Sequence, residues 1–327
     1  MPLLLTEADV KAILTMPLAL ELVETSFRRL ADGTAVCHPR ARLRMPGKGL
    51  LNYMAASDAA GGYMGLKIYT VSPNGVRFVV PLFSARSGEM CALIEADYLG
   101  QMRTAAASGV ATRVMARPDA SRVGIVGTGL QARTQLQAVA LVRKLESIRV
   151  FGRDPTRREH FAKEMTARLA MPVAAASSAE QAVRSSDIVI TATTAGRPVA
   201  EGRWLEPGMH LNAIGSNFAD KQELDAQAVG RADVIAADSV EQSKIEAGDL
   251  IQAFGTDASR WASVRELADI VADKVPGRTN PSQITLFKSN GIAIEDVVVG
   301  GRIYEIARER GMGREVPMWR EFASTQA

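Results

Sequence analysis

The chain has 327 residues, of which 47% are hydrophobic and 23% are charged, and these values are typical of a globular protein with about two domains. Its formal net charge is only +3, and basic side chains are scattered along the sequence, so we expect neither a nucleic-acid partner nor a membrane partner. The two cysteines and three histidines lie far apart, which predicts no metal site and a reduced, cytoplasmic setting.

The N-terminal segment predicts two short helices. Thr6 can cap a helix that begins at Glu7, and Pro17 opens a second helix that stops at Gly33. The leucines before Glu7 follow no basic residue, so a signal peptide is not expected.

Residues 40–96 form a succession of extended runs without intervening helices, a pattern that predicts a mostly antiparallel sheet. Asp97 can cap the helix that follows, which contains Arg103 and ends near Pro118. The first part of the chain is therefore expected to be an α+β domain.

Residues 121–133, SRVGIVGTGLQAR, read as a strand, a glycine turn and the start of a helix. This order matches the dinucleotide-binding fingerprint in its G-x-G-x-x-A form. Gly127 would permit the tight turn, Gly129 would let the backbone approach a pyrophosphate, and Ala132 would let helix and strand pack closely. The predicted loop consists of Gly127, Thr128, Gly129, Leu130, Gln131 and Ala132.

After this fingerprint, apolar strands alternate with helices, which is typical of a doubly wound parallel sheet. The predicted strands lie at residues 148–151, 171–174, 188–192, 210–214, 234–237 and 283–288. A last apolar-periodic helix over residues 293–310 is expected to return to the first domain. The fold class is therefore α/β, with a Rossmann-type domain over residues 118–292 inserted into an α+β substrate-binding and dimerisation domain of residues 1–117 plus 293–327.

The end of the second strand of the Rossmann-type domain selects between the two nicotinamide dinucleotides, because an acid there binds the ribose 2′-hydroxyl and a cation suits a 2′-phosphate. Gly152 occupies the position expected for the acid, and Arg153 and Arg157 follow. This composition favours NADP(H) over NAD(H). A shift of two residues would instead make Asp154 the ribose ligand, although Asp154 is also placed to cap a helix before Pro155.

Segments from almost the whole chain resemble the ornithine cyclodeaminase/mu-crystallin family. They are GYMGLKIYT, QMRTAAASGVAT, GTGLQA, EPGMHLNAIGSN, KQELD and ITLFKSNGIAIEDVV, in this order. The resemblance implies an inserted Rossmann domain, a homodimer whose interface lies on the first domain, and a small imino-acid or amino-acid substrate.

The resemblance also implies roles for individual residues. Lys67 and Arg103 would bind the substrate carboxylate, joined by either Arg40 or Arg42, and Lys67 is counted among the catalytic residues. For a lysine in so apolar a strand, the alternative is an ammonium group that reaches water; for Arg103 it is a solvent-facing helix position. The family match favours the substrate-binding roles.

Asp225 resembles the family's catalytic acid or base, and its alternative role is the N-cap of a helix. The remaining cofactor-binding residues are placed near the nicotinamide end of the dinucleotide. They are Thr193, Gly215, Ser216, Asn217, Lys288 and Ser289.

One position departs from the ornithine-specific members of the family, which carry a glutamate where this chain has Asn52. An amide does not supply the charge that a distal ammonium group requires. We therefore expect NAD(P)H-dependent reduction of a small α-imino acid, such as Δ1-pyrroline-2-carboxylate, or the reverse oxidation. The alternatives are an ornithine cyclodeaminase, an alanine dehydrogenase-like enzyme, or a binding protein of the mu-crystallin type without catalysis.

Overall fold

A computed structural model describes residues 1–44, 49–72 and 75–318. The chain divides into two compact units. Unit 1 consists of Met1–Arg103 and the segment that begins at Ile292, and unit 2 is Thr104–Gly291. The domain boundaries expected after residues 117 and 292 stay predictions, because a compact unit need not coincide with a domain that folds independently. Residues 319–327, which were assigned to the first domain, lie outside the described part.

The helices begin where the sequence provides caps. Thr6 and Asp9 form a capping box at the first helix, and Asp154 and Pro155 open the fifth. In chain order the helices are α1 (Glu7–Ile13), α2 (Met16–Ala31), α3 (Asp97–Met115), α4 (Leu130–Val142), α5 (Pro155–Leu169), α6 (Ala179–Val183), α7 (Ala226–Gly230), α8 (Val240–Glu246), α9 (Gly248–Phe254), α10 (Ala258–Ala262), α11 (Leu267–Val271) and α12 (Ala293–Arg310). No helix among the described residues is long and apolar enough to cross a membrane.

The strands of unit 1 form a mostly antiparallel sheet in the order β16-β1-β7-β6-β5-β4-β2, with β3 paired to β4 and a parallel pair between β1 and β7. Their bounds are β1 (Leu3–Leu5), β2 (Ala35–Cys37), β3 (Ala41–Arg44), β4 (Leu50–Asp58), β5 (Tyr63–Ser72), β6 (Gly75–Ser84), β7 (Met90–Glu95) and β16 (Arg314–Glu315). Helix α12 packs against β4, β5 and β6. The close approach requires Gly65, because a Cβ there would lie 2.8 Å from the Pro81 carbonyl oxygen and 3.3 Å from Val297.

Side chains in β4 and β5 alternate between the face that α12 covers and the opposite face. On β4 the buried positions are Asn52, Met54, Ala56 and Asp58. On β5 they include Lys67, which pairs with Met54 across the two strands. The register therefore places polar side chains on the covered face of the sheet.

Unit 2 contains an eight-stranded parallel sheet in the order β10-β9-β8-β11-β12-β15-β13-β14. The bounds are β8 (Arg122–Val126), β9 (Ser147–Phe151), β10 (Val173–Ala175), β11 (Ile188–Thr191), β12 (His210–Ala213), β13 (Val234–Ala237), β14 (Arg265–Glu266) and β15 (Thr285–Lys288). Strand order reverses between β8 and β11, which is where ligands bind to doubly wound sheets, outside the carboxyl ends of the strands. The predicted fold class is confirmed.

Both faces of the unit 2 sheet are covered, as expected for parallel strands. Ile188 and Ile190 belong to one hydrophobic cluster, and Val189 between them belongs to another. The strands are accordingly continuous apolar runs, and this is the feature by which the sequence predicted them.

Candidate active site

Lys67 and Arg103 lie beside two fully buried acidic residues in the first turn of α12. Lys67 Nζ is 2.6 Å from Asp296 Oδ1, and Arg103 Nε is 3.3 Å from the same oxygen. Arg103 Nη1 is 2.8 Å from Glu295 Oε2. Lys67 and Arg103 are only 2% and 5% exposed, so the alternatives in which they extend into water are wrong. Unit 1 thus holds an inward-facing cluster of cations and carboxylates.

The surroundings of the Lys67 ammonium group are tight and partly aromatic. The group lies 5.0 Å from the centroid of the Phe78 ring, a distance at which a cation is attracted to the ring face. Gly100, in the first turn of α3, lies close to the ammonium group, since a Cβ there would lie 3.0 Å from Nζ. A larger residue at position 100 would press against the ammonium group.

Burial lowers the pKa of Lys67 from its usual 10.5 to about 8. The positive charges of Arg103 and Arg40 lower it as well, whereas the Asp296 carboxylate raises it through its charge and its hydrogen bond. The ammonium form is costly in a low-dielectric environment, and one shared carboxylate offsets only part of that cost. The neutral amine form of Lys67 is therefore more populated near neutral pH than that of an exposed lysine.

Arg40, Arg42 and Asn52 extend the same face of the sheet. Arg42 pairs with Asn52 across β3 and β4. Arg40, two residues earlier, precedes β3 and is 6% exposed. Asn52 is 1% exposed, and neither its Oδ1 nor its Nδ2 has a hydrogen-bond partner among the described residues. A buried amide normally finds partners, so this side chain is suited to receive a polar group of a ligand.

In unit 2 the glycine turn has the geometry required for a dinucleotide. Gly127 has φ of +127°, and a Cβ there would lie 2.3 Å from the Ala192 carbonyl oxygen, so no other residue fits. Gly129 is the N-cap of α4 and provides no side-chain hydrogen bond, and the space at its Cβ position is open. The N–H groups that begin α4 are thus left for an anion. These features fit a bound pyrophosphate.

The end of β9 is followed by exposed basic side chains and by Asp154, which caps a helix. A Cβ at Gly152 would lie 2.7 Å from the Thr128 side chain, so the strand end and the glycine turn are in close contact. Asp154 accepts a hydrogen bond from the Arg157 backbone N–H at 3.0 Å and is the N-cap of α5. The Arg157 side chain is 82% exposed, and Arg153 is exposed.

Glu223, for which the sequence suggested no role, joins the loops that follow β11 and β12. Its carboxylate accepts hydrogen bonds from Thr191 Oγ1 at 2.8 Å, Thr193 N at 2.6 Å, Thr193 Oγ1 at 2.7 Å and Gly215 N at 2.7 Å. Burial raises the pKa of this carboxyl group, against the opposing effects of Lys288 and Thr193. Thr193 and Gly215 are predicted cofactor-binding residues, and Glu223 is what holds them together.

Lys288 is fully buried beneath the same loops. Its ammonium group donates to the Ser216 carbonyl oxygen at 2.6 Å and lies 2.8 Å from Asp249 Oδ2. Asp249 Oδ1 in turn accepts from the backbone N–H groups of Glu223 and Leu224. Lys288 therefore supports the backbone of the predicted nicotinamide loops from within. Ser289 donates to Asp238 Oδ2 at 3.1 Å, which likewise gives it a structural contact.

Asp225 is the N-cap of α7, the alternative that the sequence had offered. Its Oδ1 accepts hydrogen bonds from Ala228 N at 2.7 Å and Gly202 N at 2.9 Å. Its role in proton exchange stays a prediction. The described residues contain no group of three or more His, Cys, Asp or Glu side chains that could hold a metal ion.

Residues 1–311 match the family model described as "Ornithine cyclodeaminase/mu-crystallin family". The chain belongs to this family. A solved Δ1-pyrroline-2-carboxylate reductase from Thermococcus litoralis, in complex with NADH and L-proline, is 36% identical, with a TM-score of 0.91 and coverage of 96% of this chain and 100% of that one. An archaeal alanine dehydrogenase dimer with bound NAD is 30% identical, with a TM-score of 0.91 and coverage of 97% and 99%. A Δ1-pyrroline-2-carboxylate reductase from Bacillus cereus is 34% identical over 261 residues, covering 77% of this chain and 80% of its own length.

The structure also reveals functional candidates that the sequence reasoning missed, namely Glu295, Asp296, Glu223 and Asp249. The first two form an acidic pair in the apolar segment IAIEDVVVGG. Since a charge in a buried helix is expensive unless it is paired, that pair was a signal that cationic partners would lie opposite.

Proposed function

We propose that this protein reduces a small α-imino carboxylate with NAD(P)H, or oxidises the corresponding amino acid in reverse. The observation that carries the proposal is the buried pair of cations, Lys67 and Arg103, on the covered face of the unit 1 sheet. Two cations with different donor geometries, an ammonium group and a guanidinium fork, are suited to bind a carboxylate. The chain is similar to two Δ1-pyrroline-2-carboxylate reductases and an alanine dehydrogenase, and these names denote enzymes that act on compounds of this class.

The substrate carboxylate would be held by Lys67 and Arg103 together with one further arginine. Arg40 is the better candidate for that third position than Arg42, because its charge acts on Lys67. A guanidinium fork and an ammonium point charge fix a carboxylate in both position and orientation. Holding the substrate in this way leaves the reacting carbon with few accessible orientations, which lowers the entropic part of the barrier.

The dinucleotide would be bound by the loop of Gly127 and Gly129, with the loops that contain Thr193 and Asn217 at its nicotinamide end. The nicotinamide, when bound, supplies the hydride. We propose NADP(H) as the preferred cofactor because Asp154 is engaged in capping α5 while Arg153 and Arg157 are exposed. Substitution of both arginines by Ser should lower the preference for NADPH over NADH in kcat/KM; an unchanged ratio would contradict this assignment.

Asp225 is proposed to exchange a proton with the substrate nitrogen or with a water molecule beside it. Both backbone hydrogen bonds that Asp225 accepts, one from Ala228 in α7 and one from Gly202, end on Oδ1. Asp225→Asn keeps an oxygen for the cap and removes the acid, so kcat should fall with little loss of stability. Wild-type kcat in this variant would rule the acid role out.

A homodimer is proposed through the face of the unit 1 sheet opposite α12. Four large apolar side chains on that face are exposed, namely Val36 at 53%, Leu43 at 59%, Tyr53 at 43% and Leu93 at 37%. A contiguous exposed apolar surface is typical of a protein interface, and the similar alanine dehydrogenase is described as a dimer. Sedimentation of the wild type and of Leu43→Glu would test this: the wild type should be a dimer and the variant a monomer.

The decisive experiment is a panel of cyclic and linear imino acids, each offered with NADH and with NADPH, followed by nicotinamide absorbance. Oxidation of the cofactor with a cyclic imino acid is the expected result. Formation of proline from ornithine without net cofactor consumption would instead indicate a cyclodeaminase, a reaction that Asn52 disfavours because it offers no charge to an ammonium group. Tight ligand binding without turnover on any imino acid would refute the enzyme proposal.

A further inference from the structure

Asp296 occupies a central place in the cation cluster of unit 1. Its Oδ1 lies 2.6 Å from Lys67 Nζ and 3.3 Å from Arg103 Nε, so one oxygen serves both cations. Its Oδ2 is buried and accepts no hydrogen bond from any described residue. The carboxylate is fully buried. Its Oδ2 remains an acceptor for a hydrogen-bond donor that binds beside the Lys67 ammonium group.

Glu295, the neighbouring acid, has a different arrangement. It is equally buried but contacts Arg103 through Nη1 at 2.8 Å. The two acids are thus adjacent in sequence and share one helical turn, but Asp296 contacts both Lys67 and Arg103, whereas Glu295 contacts Arg103. This difference makes Glu295 a matched control for Asp296.

We propose that Asp296 is a positioning residue that fixes the Lys67 ammonium group and retains a proton on it, so that Lys67 transfers this proton to the substrate nitrogen and Asp225 exchanges its proton with the water molecule beside that nitrogen. The inference rests on the proposed reductase function. It goes beyond carboxylate binding, because Asp296 at 2.6 Å keeps the ammonium group charged whether or not a substrate carboxylate is bound. Burial, Arg103 and Arg40 all oppose the charge of Lys67, and Asp296 is the group that favours it.

In reduction, the hydride forms a C–H bond at the imine carbon, and the π-electron pair of the C=N bond moves to nitrogen. The nitrogen takes a proton from the Lys67 ammonium group, which becomes a neutral amine, while the reduced nicotinamide is oxidised. Lys67 recovers its proton from solvent before the next turnover. In amino-acid oxidation, the neutral Lys67 amine receives the proton instead.

The test compares Asp296→Asn with Glu295→Gln. Removing the Asp296 charge leaves Lys67 opposed by burial, Arg103 and Arg40, so Lys67 should lose its proton at a pH lower by at least about one unit. The alkaline limb of kcat/KM for imine reduction, which lies near pH 8 when Lys67 must be protonated, should move by the same amount. Glu295→Gln should move it by less than about half of that, and Asp296→Glu should restore it.

A readout independent of turnover is the titration of the Lys67 side chain by 13C NMR in protein labelled at the lysine ε-carbon. Its resonance is assigned by its disappearance in Lys67→Met. An unshifted Lys67 titration in Asp296→Asn, or an equal shift in Glu295→Gln, would overturn the role of Asp296.

Lys67→Arg keeps the position of Asp296 intact and provides evidence that does not depend on the folding of Asp296→Asn. Because arginine keeps its proton at all accessible pH values, it can still bind a carboxylate but cannot transfer a proton, so kcat for imine reduction should fall much more than KM changes. A kcat close to that of the wild type would show that another group supplies the proton, and the proposal would fail. If instead the wild type reduces no imino acid at all, the proposed function fails, whereas the NMR titration still decides whether Asp296 controls Lys67.

Discussion

The molecule contains two buried lysine–aspartate pairs, one in each unit, and their surroundings differ. Lys288 in unit 2 lies 2.8 Å from Asp249 and also donates to the Ser216 carbonyl oxygen, and no arginine shares that aspartate in the ion pairs of the described residues. Lys67 in unit 1 shares Asp296 Oδ1 with Arg103. The first lysine has its charge matched by an anion and a carbonyl dipole. The second competes with another cation for a single oxygen.

The two buried lysines differ in the groups that their contacts hold in place. Lys288 donates to a backbone carbonyl oxygen, and its partner Asp249 accepts hydrogen bonds from the backbone N–H groups of Glu223 and Leu224. Around Lys67 the contacts lead to other charged side chains, and a Cβ at Gly100 would lie 3.0 Å from its ammonium nitrogen. Burial alone therefore does not indicate function; an excess of like charge around a buried group does.

The largest effect is expected from Lys288→Met. The substitution leaves Asp249 as an uncompensated buried charge and removes the donor to Ser216, so the free energy of unfolding should fall by about 3–5 kcal/mol. Chemical denaturation monitored by circular dichroism measures this. A loss under about 1 kcal/mol would show that Lys288 contributes little to the stability of the fold.

Lys67→Met should have the opposite profile, with a large effect on activity and a smaller one on stability. Loss of a charged hydrogen bond to the substrate carboxylate costs about 2–3 kcal/mol, which corresponds to a decrease in kcat/KM of roughly 30- to 150-fold. Arg103 still compensates Asp296 in this variant, so unfolding should change less than in Lys288→Met. The measurement is steady-state kinetics beside the same denaturation series, and equal stability losses in both variants would remove the distinction.

The smallest effect concerns pH. Because the folded-state pKa of Lys67 is lowered from 10.5 to about 8, folding disfavours the charged form, and this penalty is fully present below pH 8 and disappears as pH rises towards 10.5. Between pH 7 and pH 9 the wild type should therefore gain about 1 kcal/mol of stability relative to Lys67→Met. A constant difference between the two proteins across this range would mean that Lys67 titrates normally.

A similar contrast appears in how well each region could be predicted. The strand and glycine turn of residues 121–133 are local patterns, and the structure has β8, Gly127 and α4 where the sequence indicated them. For Asp154 and Asp225 the sequence offered both a cap and a ligand or acid role, and the structure shows both as caps. Capping depends on neighbours within three residues, so sequence can suggest it, whereas a ligand role depends on distant groups.

By itself, the sequence determined the family, the parallel and antiparallel sheets, and the position of Lys67 in an apolar strand. The alternation of apolar and polar residues along a strand indicates which side chains point inward, but it does not indicate which residues they contact there. Asp296 is 229 positions from Lys67, and Glu223 meets Thr193 across 30. Only the tertiary structure decided these pairings, because they arise when α12 packs on the unit 1 sheet and when the loops after β11 and β12 meet in unit 2.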